Sequence, residues 1–133
     1  MTATAHFDVT AWEPAASDEP EAGPALSRVV IRKAFRGDFE GSSAGEGLFC
    51  GMADPAAGAG YVVSERVTGR LGDRAGSFVL HHGGAMGPGV EPHTFGHVVP
   101  GSGTGDLVGM AGTVEIAQDA EGTHTMTLDY HLA

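Results

Sequence analysis

Apolar and polar residues alternate with a period of two along most of the chain, and that alternation predicts strands. Eight runs carry it: Ala5–Trp12, Ser27–Phe39, Glu46–Ala53, Gly60–Leu71, Gly76–Gly83, Pro92–Val99, Asp106–Ala117 and Thr123–Leu132. Turn-forming residues separate them. "LGDRAGS" and "QDAEGTH" read as hairpin turns, and "DPAAGAG" and "GGAMGPGVEP" as longer breaks. No helix of useful length is visible. Eight short strands at hairpin spacing predict an all-β domain, a small eight-stranded antiparallel β-barrel whose closure removes the exposed sheet edges. At eight strands the interior is either filled by side chains or holds one small ligand. The chain is read as a single domain, 1–133, with Glu13–Ala25, "EPAASDEPEAGPA", as an acidic, Pro-rich surface loop.

Composition narrows the function classes. The net charge of −10 argues against nucleic acid and anionic membrane surfaces as partners, since both require clustered Lys and Arg. One cysteine, Cys50, builds no disulfide framework and fits a reducing compartment. The start of the chain, "MTATAHFDVTAWEP", has no basic region followed by an apolar core. No apolar run reaches the length of a membrane helix. The expectation is a soluble cytoplasmic protein.

The informative residues are charges that break the alternation. In the second run Val29, Ile31, Phe35 and Phe39 share a face, and Lys33, the single lysine, falls among them. In the fourth, Glu65 sits between Val63 and Val67, on the face that also carries Tyr61 and Leu71. In the fifth, His82 shares a face with Phe78 and Leu80. Burying a charge costs several kcal/mol unless it is paired. Lys33 and Glu65 have opposite signs, so an interior pair completed by His82 is expected. Such a cluster either fixes strand register or serves a pocket as general acid or base. In the pocket reading Glu65 is the acid or base, with Lys33 and His82 tuning it. Tyr61 donates a hydrogen bond, and Phe35, Phe78 and Leu80 form the apolar wall. Small residues at expected inward slots, Gly37, Gly69 and Ala11, favour some interior space.

Other motifs carry less. "GSSAG", Gly41–Gly45, matches a nucleophile-elbow pattern but reads as a polar turn in a chain too short for a hydrolase fold. "VVPGSGTGDLVGMAG", Val98–Gly112, has Val108 where a dinucleotide motif starting at Gly103 needs its third glycine. The seven histidines include no H-x-H, and His93 and His97 stand about 13 Å apart on a strand, so no metal and no cofactor are expected.

"FDVTAWEP", "KAFRGDFEG", "YVVSERVTGRLGDRAGSFVLHHGG" and "VVPGSGTGDLVGMAGTVEI" resemble the bacterial family called domain of unknown function three-two-two-four. The resemblance covers nearly the whole chain and implies an allene-oxide-cyclase-like, dirigent-like barrel. The glycine stretch is similar to the signature of those plant proteins, and there Gly105, Gly109 and Gly112 are expected to serve bulging and close packing. Relatives of that barrel type steer cyclisation of largely apolar substrates. The resemblance therefore implies a small-molecule barrel, an isomerase or cyclase on one reading and a non-catalytic binding or structural protein on another. Apolar residues at outward slots, Val30, Val62 and Val79, add the expectation of a homo-oligomer, dimer or trimer.

Overall fold

The computed structural model describes all residues, 1–133. Eight strands form: β1 (Thr2–Ser17), β2 (Leu26–Gly37), β3 (Phe39–Cys50), β4 (Ala59–Leu71), β5 (Arg74–Gly87), β6 (Val90–Val98), β7 (Ala111–Gln118) and β8 (His124–His131). Each pairs antiparallel with the next, and β8 returns to β1, so one sheet closes into a ring. The only helical pieces are two 3₁₀ turns, Pro55–Ala57 and Gly105–Leu107.

Three expectations need correction. β1 continues through Pro14 to Ser17, so the Pro-rich segment is half strand; β1 accommodates it through register shifts at Val9/Ala11 and Pro14/Ala16. β3 begins at Phe39 rather than Glu46, and "GSSAG" lies inside a strand rather than in a turn. Its inward positions are Phe39, Gly41, Ser43, Gly45, Gly47 and Phe49, four of them too small to show the alternation. Finally, β7 starts at Ala111, and Asp106–Met110 belongs to the loop before it.

That loop explains the glycine stretch. β6 pairs with β5 only from Leu80 upward, which leaves the first half of β5 as an open edge. The loop supplies the missing partners. Val99 N–H donates to the Val79 carbonyl at 2.9 Å, and Thr104 N–H donates to the Ser77 carbonyl at 2.8 Å. In return the Val79 and Ser77 amides donate to Ser102 Oγ and Thr104 Oγ1 at 2.9 and 3.0 Å. Buried amides without partners would be costly, so this pairing seals the ring where strand pairing stops. Leu107 and Met110 then turn inward and are fully buried in the core. Gly112, the second residue of β7, has φ +149°, and a Cβ there would strike the Asp129 carbonyl of β8, so only glycine fits.

The interior has two apolar clusters. The larger contains Phe7, Phe35, Phe39, Phe78, Leu80 and Leu128 among its members and fills the end plugged by Leu107. The smaller contains Val29, Ile31, Phe49 and Val63, with Tyr61 packed against it. Lys33 lies between Ile31 and Phe35 on β2, and Glu65 between Val63 and Val67 on β4. The charges therefore form the layer that separates the two clusters.

Candidate functional site

Lys33, Glu65 and His82 meet inside the ring. Lys33 Nζ donates to Glu65 Oε2 at 2.9 Å, and His82 Nε2 lies 2.7 Å from the same oxygen. The three side chains are 6%, 2% and 5% exposed. Lys33 and Glu65 sit on β2 and β4, with β3 between them. The strand positions that separate them carry only Ser43 and Gly45, which pair with Lys33 and Glu65 respectively. A Cβ on Gly45 would fall 2.6 Å from Glu65 Cα, so a larger residue would push β3 off β4 and close the path of the lysine. The glycine of the discarded nucleophile motif thus makes room for the ion pair. Lys33 Nζ also lies 4.7 Å from the centroid of Phe7, a cation–π contact that helps compensate its desolvation.

Burial alone would raise the Glu65 pKa. The His82 hydrogen bond and the charge and hydrogen bond of Lys33 outweigh it and hold the carboxyl at about 2. An ionised carboxylate only accepts hydrogen bonds, so His82 Nε2 carries the proton in that contact. In neutral imidazole Nδ1 is then an acceptor. His82 Nδ1 and Glu65 Oε1 are both buried without a hydrogen-bond partner. Unpartnered buried acceptors are uncommon in native proteins and cost about 1–3 kcal/mol each.

A cavity of about 280 Å³ opens at the end of the ring opposite Leu107. Lys33 and His82 line it together with Phe7, Trp12, Phe49, Tyr61, Ile116, Gln118 and His124. Its aromatic rings brace one another: Phe49 stacks on Tyr61 at 5.6 Å, Trp12 leans on Phe49 at 5.0 Å, and Phe7 stacks on His124 at 5.0 Å. Tyr61 also meets His82 edge-on at 6.2 Å, and burial raises its hydroxyl pKa.

The structure brings Lys33, Glu65, His82 and Tyr61 together as the pattern suggested. Phe35, Phe78 and Leu80 do not line the cavity; they are packed in the larger cluster below the charged layer. Alternation identified their inward direction and could not say at which level of the ring they stand. Trp12 and His124 also line the cavity, beyond the residues that the alternation marks. The β1 irregularity reverses the parity: Ala11 pairs with outward-facing Arg32, and Trp12 pairs with inward-facing Ile31. Ala11 therefore leaves no interior space, and Trp12 enters the cavity. For His124 a signal existed, since it shares a face of β8 with Met126 and Leu128.

The chain is an all-β protein of eight antiparallel strands closed into one ringed sheet. A family model described as "Protein of unknown function (DUF3224)" matches residues 3–130, and the chain belongs to that family. A solved crystal structure of a DUF3224 protein of unknown function from Shewanella oneidensis MR-1 is similar, with 35% identity and a TM-score of 0.87. The match covers 100% of this chain and 98% of the other. A search of the curated proteins finds no match. No helix is long and apolar enough to cross a membrane.

Proposed function

We propose that the protein binds one small, largely apolar molecule in the open end of its ring. The observation that carries this is the junction of the buried cluster with the cavity: Lys33 and His82 stand in a mostly apolar wall, with His82 Nδ1 and Glu65 Oε1 unpartnered beside it. Apolar walls with a few convergent polar groups are the usual form of small-molecule sites. The ring of eight strands, its open apolar end and its glycine stretch support an allene-oxide-cyclase-like assignment.

A second reading, an isomerase or cyclase, is favoured by the arrangement of Glu65 and His82. A carboxylate with a pKa of about 2 is a weak base at neutral pH, so on this reading the base is His82 rather than Glu65. Glu65 holds one ring nitrogen protonated and orients the imidazole, and Lys33 keeps Glu65 ionised. The free Nδ1 would take a proton from the bound molecule and return it elsewhere.

Trp12, the single tryptophan, lies in the cavity wall and reports on occupancy. Purified protein is expected to release a small molecule on denaturation, detected by mass spectrometry, and re-addition of that molecule should change Trp12 emission saturably. Solvent deuterium in the recovered molecule marks an isomerase, and its absence marks a binder. A protein that yields no bound molecule, and whose Trp12 emission responds to no member of a panel of small aromatic and aliphatic compounds, would rule out the binding proposal.

The outer wall supports the proposal of a homo-oligomer. Leu48, Val62, Gly83 and Phe95 are cross-strand neighbours on β3 to β6, and Leu48, Val62 and Phe95 are about half exposed at 57%, 49% and 49%. Soluble monomers seldom leave such a continuous apolar band uncovered. Light scattering should report a dimer or trimer that dissociates in Val62→Lys; a wild-type monomer at high concentration would refute it.

A further inference from the structure

We infer that the occupant of this cavity is a neutral aromatic alcohol, a phenol or its close equivalent, whose hydroxyl donates to His82 Nδ1. This rests on the binding proposal above and adds the chemical class of the ligand. The buried cluster is already balanced in charge: Lys33 and Glu65 neutralise each other at 2.9 Å, and the second contact to Glu65 Oε2 is filled by His82 Nε2. Lys33 Nζ keeps donors beyond its one bond to Glu65, so what the cluster leaves open toward a donor is the acceptor on His82. The two atoms without partners are His82 Nδ1 and Glu65 Oε1, and the carboxylate oxygen can only accept. Of the two residues, His82 is the one that lines the cavity. A ligand hydroxyl would satisfy a group that otherwise bears its desolvation cost uncompensated. An ionised carboxylate has no proton to donate to Nδ1, and a carboxylate or phosphate would bring a second negative charge close to ionised Glu65.

The rest of the wall selects the frame that carries the hydroxyl. Trp12, Phe49 and Tyr61 form one run of touching rings in the wall, and Phe7 and His124 form another. A planar ring seated against them keeps offset-stacked or edge-on contacts, each worth more than its buried area alone. The cavity of about 280 Å³ suits a single substituted ring or a small fused pair.

The test is calorimetric titration of the intact protein at neutral pH with four compounds of one shape: p-cresol, 4-methylanisole, toluene and p-toluate. p-Cresol carries the donor. 4-Methylanisole keeps the oxygen without the proton, toluene lacks both, and p-toluate carries a negative charge. p-Cresol should bind tighter than either neutral analogue by about tenfold or more, as expected for a hydrogen bond to a buried unpartnered acceptor. p-Toluate should bind more weakly than p-cresol. In His82→Phe the p-cresol preference should fall below about twofold while toluene binding persists, since the ring is retained and only the acceptor is lost. Equal affinities for p-cresol and toluene, or tightest binding of p-toluate, would overturn the inference while leaving the cavity a binding site. Binding of none of the four would overturn the inference and count against the binding proposal as well. Because the comparison among ligands uses the wild-type protein, it stands even where His82→Phe does not fold.

Discussion

Glu65→Gln is expected to lower the unfolding free energy by about 3–5 kcal/mol at neutral pH, because it leaves the Lys33 ammonium buried without its counter-charge. Both partners are almost fully buried and their contact is 2.9 Å long, so water cannot take over the role of the carboxylate. The paired change Lys33→Met with Glu65→Leu removes both charges and fills similar volume, and it should recover most of the loss. Urea denaturation of wild type and the two variants measures all three. The same residue sets an acid limb. The folded pKa of about 2 lies below the ordinary 4.5, so ionised Glu65 contributes stability that is fully present above about pH 4.5 and lost as pH falls toward 2. That displacement amounts to about 3 kcal/mol. Glu65→Gln should therefore show a flatter stability profile than wild type across pH 4.5 to 2. A single variant as stable as wild type at neutral pH, with an unchanged acid limb, would show that the pair contributes nothing to the fold.

Phe78→Ala should also cost about 3–5 kcal/mol, the usual consequence of emptying an aromatic core position. Phe78 is completely buried, meets Phe39 edge-on at 5.7 Å and belongs to the cluster below the charged layer. Because it does not line the cavity, the affinity of the folded variant for p-cresol should stay within about twofold of wild type, as for sites that share no partners. Thermal melts combined with titration below the melting point separate the two effects. If Phe78 were part of the ligand wall, the substitution would change affinity more than stability. That outcome would place the cavity deeper than the described boundary at Lys33 and His82.

Much of this protein is legible along the chain where inward residues are large. Val63–Glu65–Val67 on β4 and Phe78–Leu80–His82 on β5 point inward as their alternation requires, since successive strand residues face opposite sides. The charged cluster was legible for the same reason: a lysine, a glutamate and a histidine on apolar faces leave pairing as the inexpensive arrangement. The alternation misses the first half of β3 because Gly41, Ser43 and Gly45 occupy its inward slots, and a pattern based on size is silent there. The shape of the ring, in which the neighbouring backbone closes over those positions, is what makes small residues necessary.

The sequence by itself determined the all-β class, the strand directions on β2, β4 and β5, and the three ionisable residues that had to meet inside. The alternation period and the charge of each side chain are local properties of the chain, readable without any tertiary contact. Only the tertiary structure decided the level of each residue along the ring. It placed Phe35, Phe78 and Leu80 in the filled end and Tyr61 in the open one, and it reversed parity at Ala11 so that Trp12 entered the cavity. Those outcomes depend on the stagger of eight paired strands and on one register shift. Pairing register is a relation between distant segments, and no single stretch of sequence contains it.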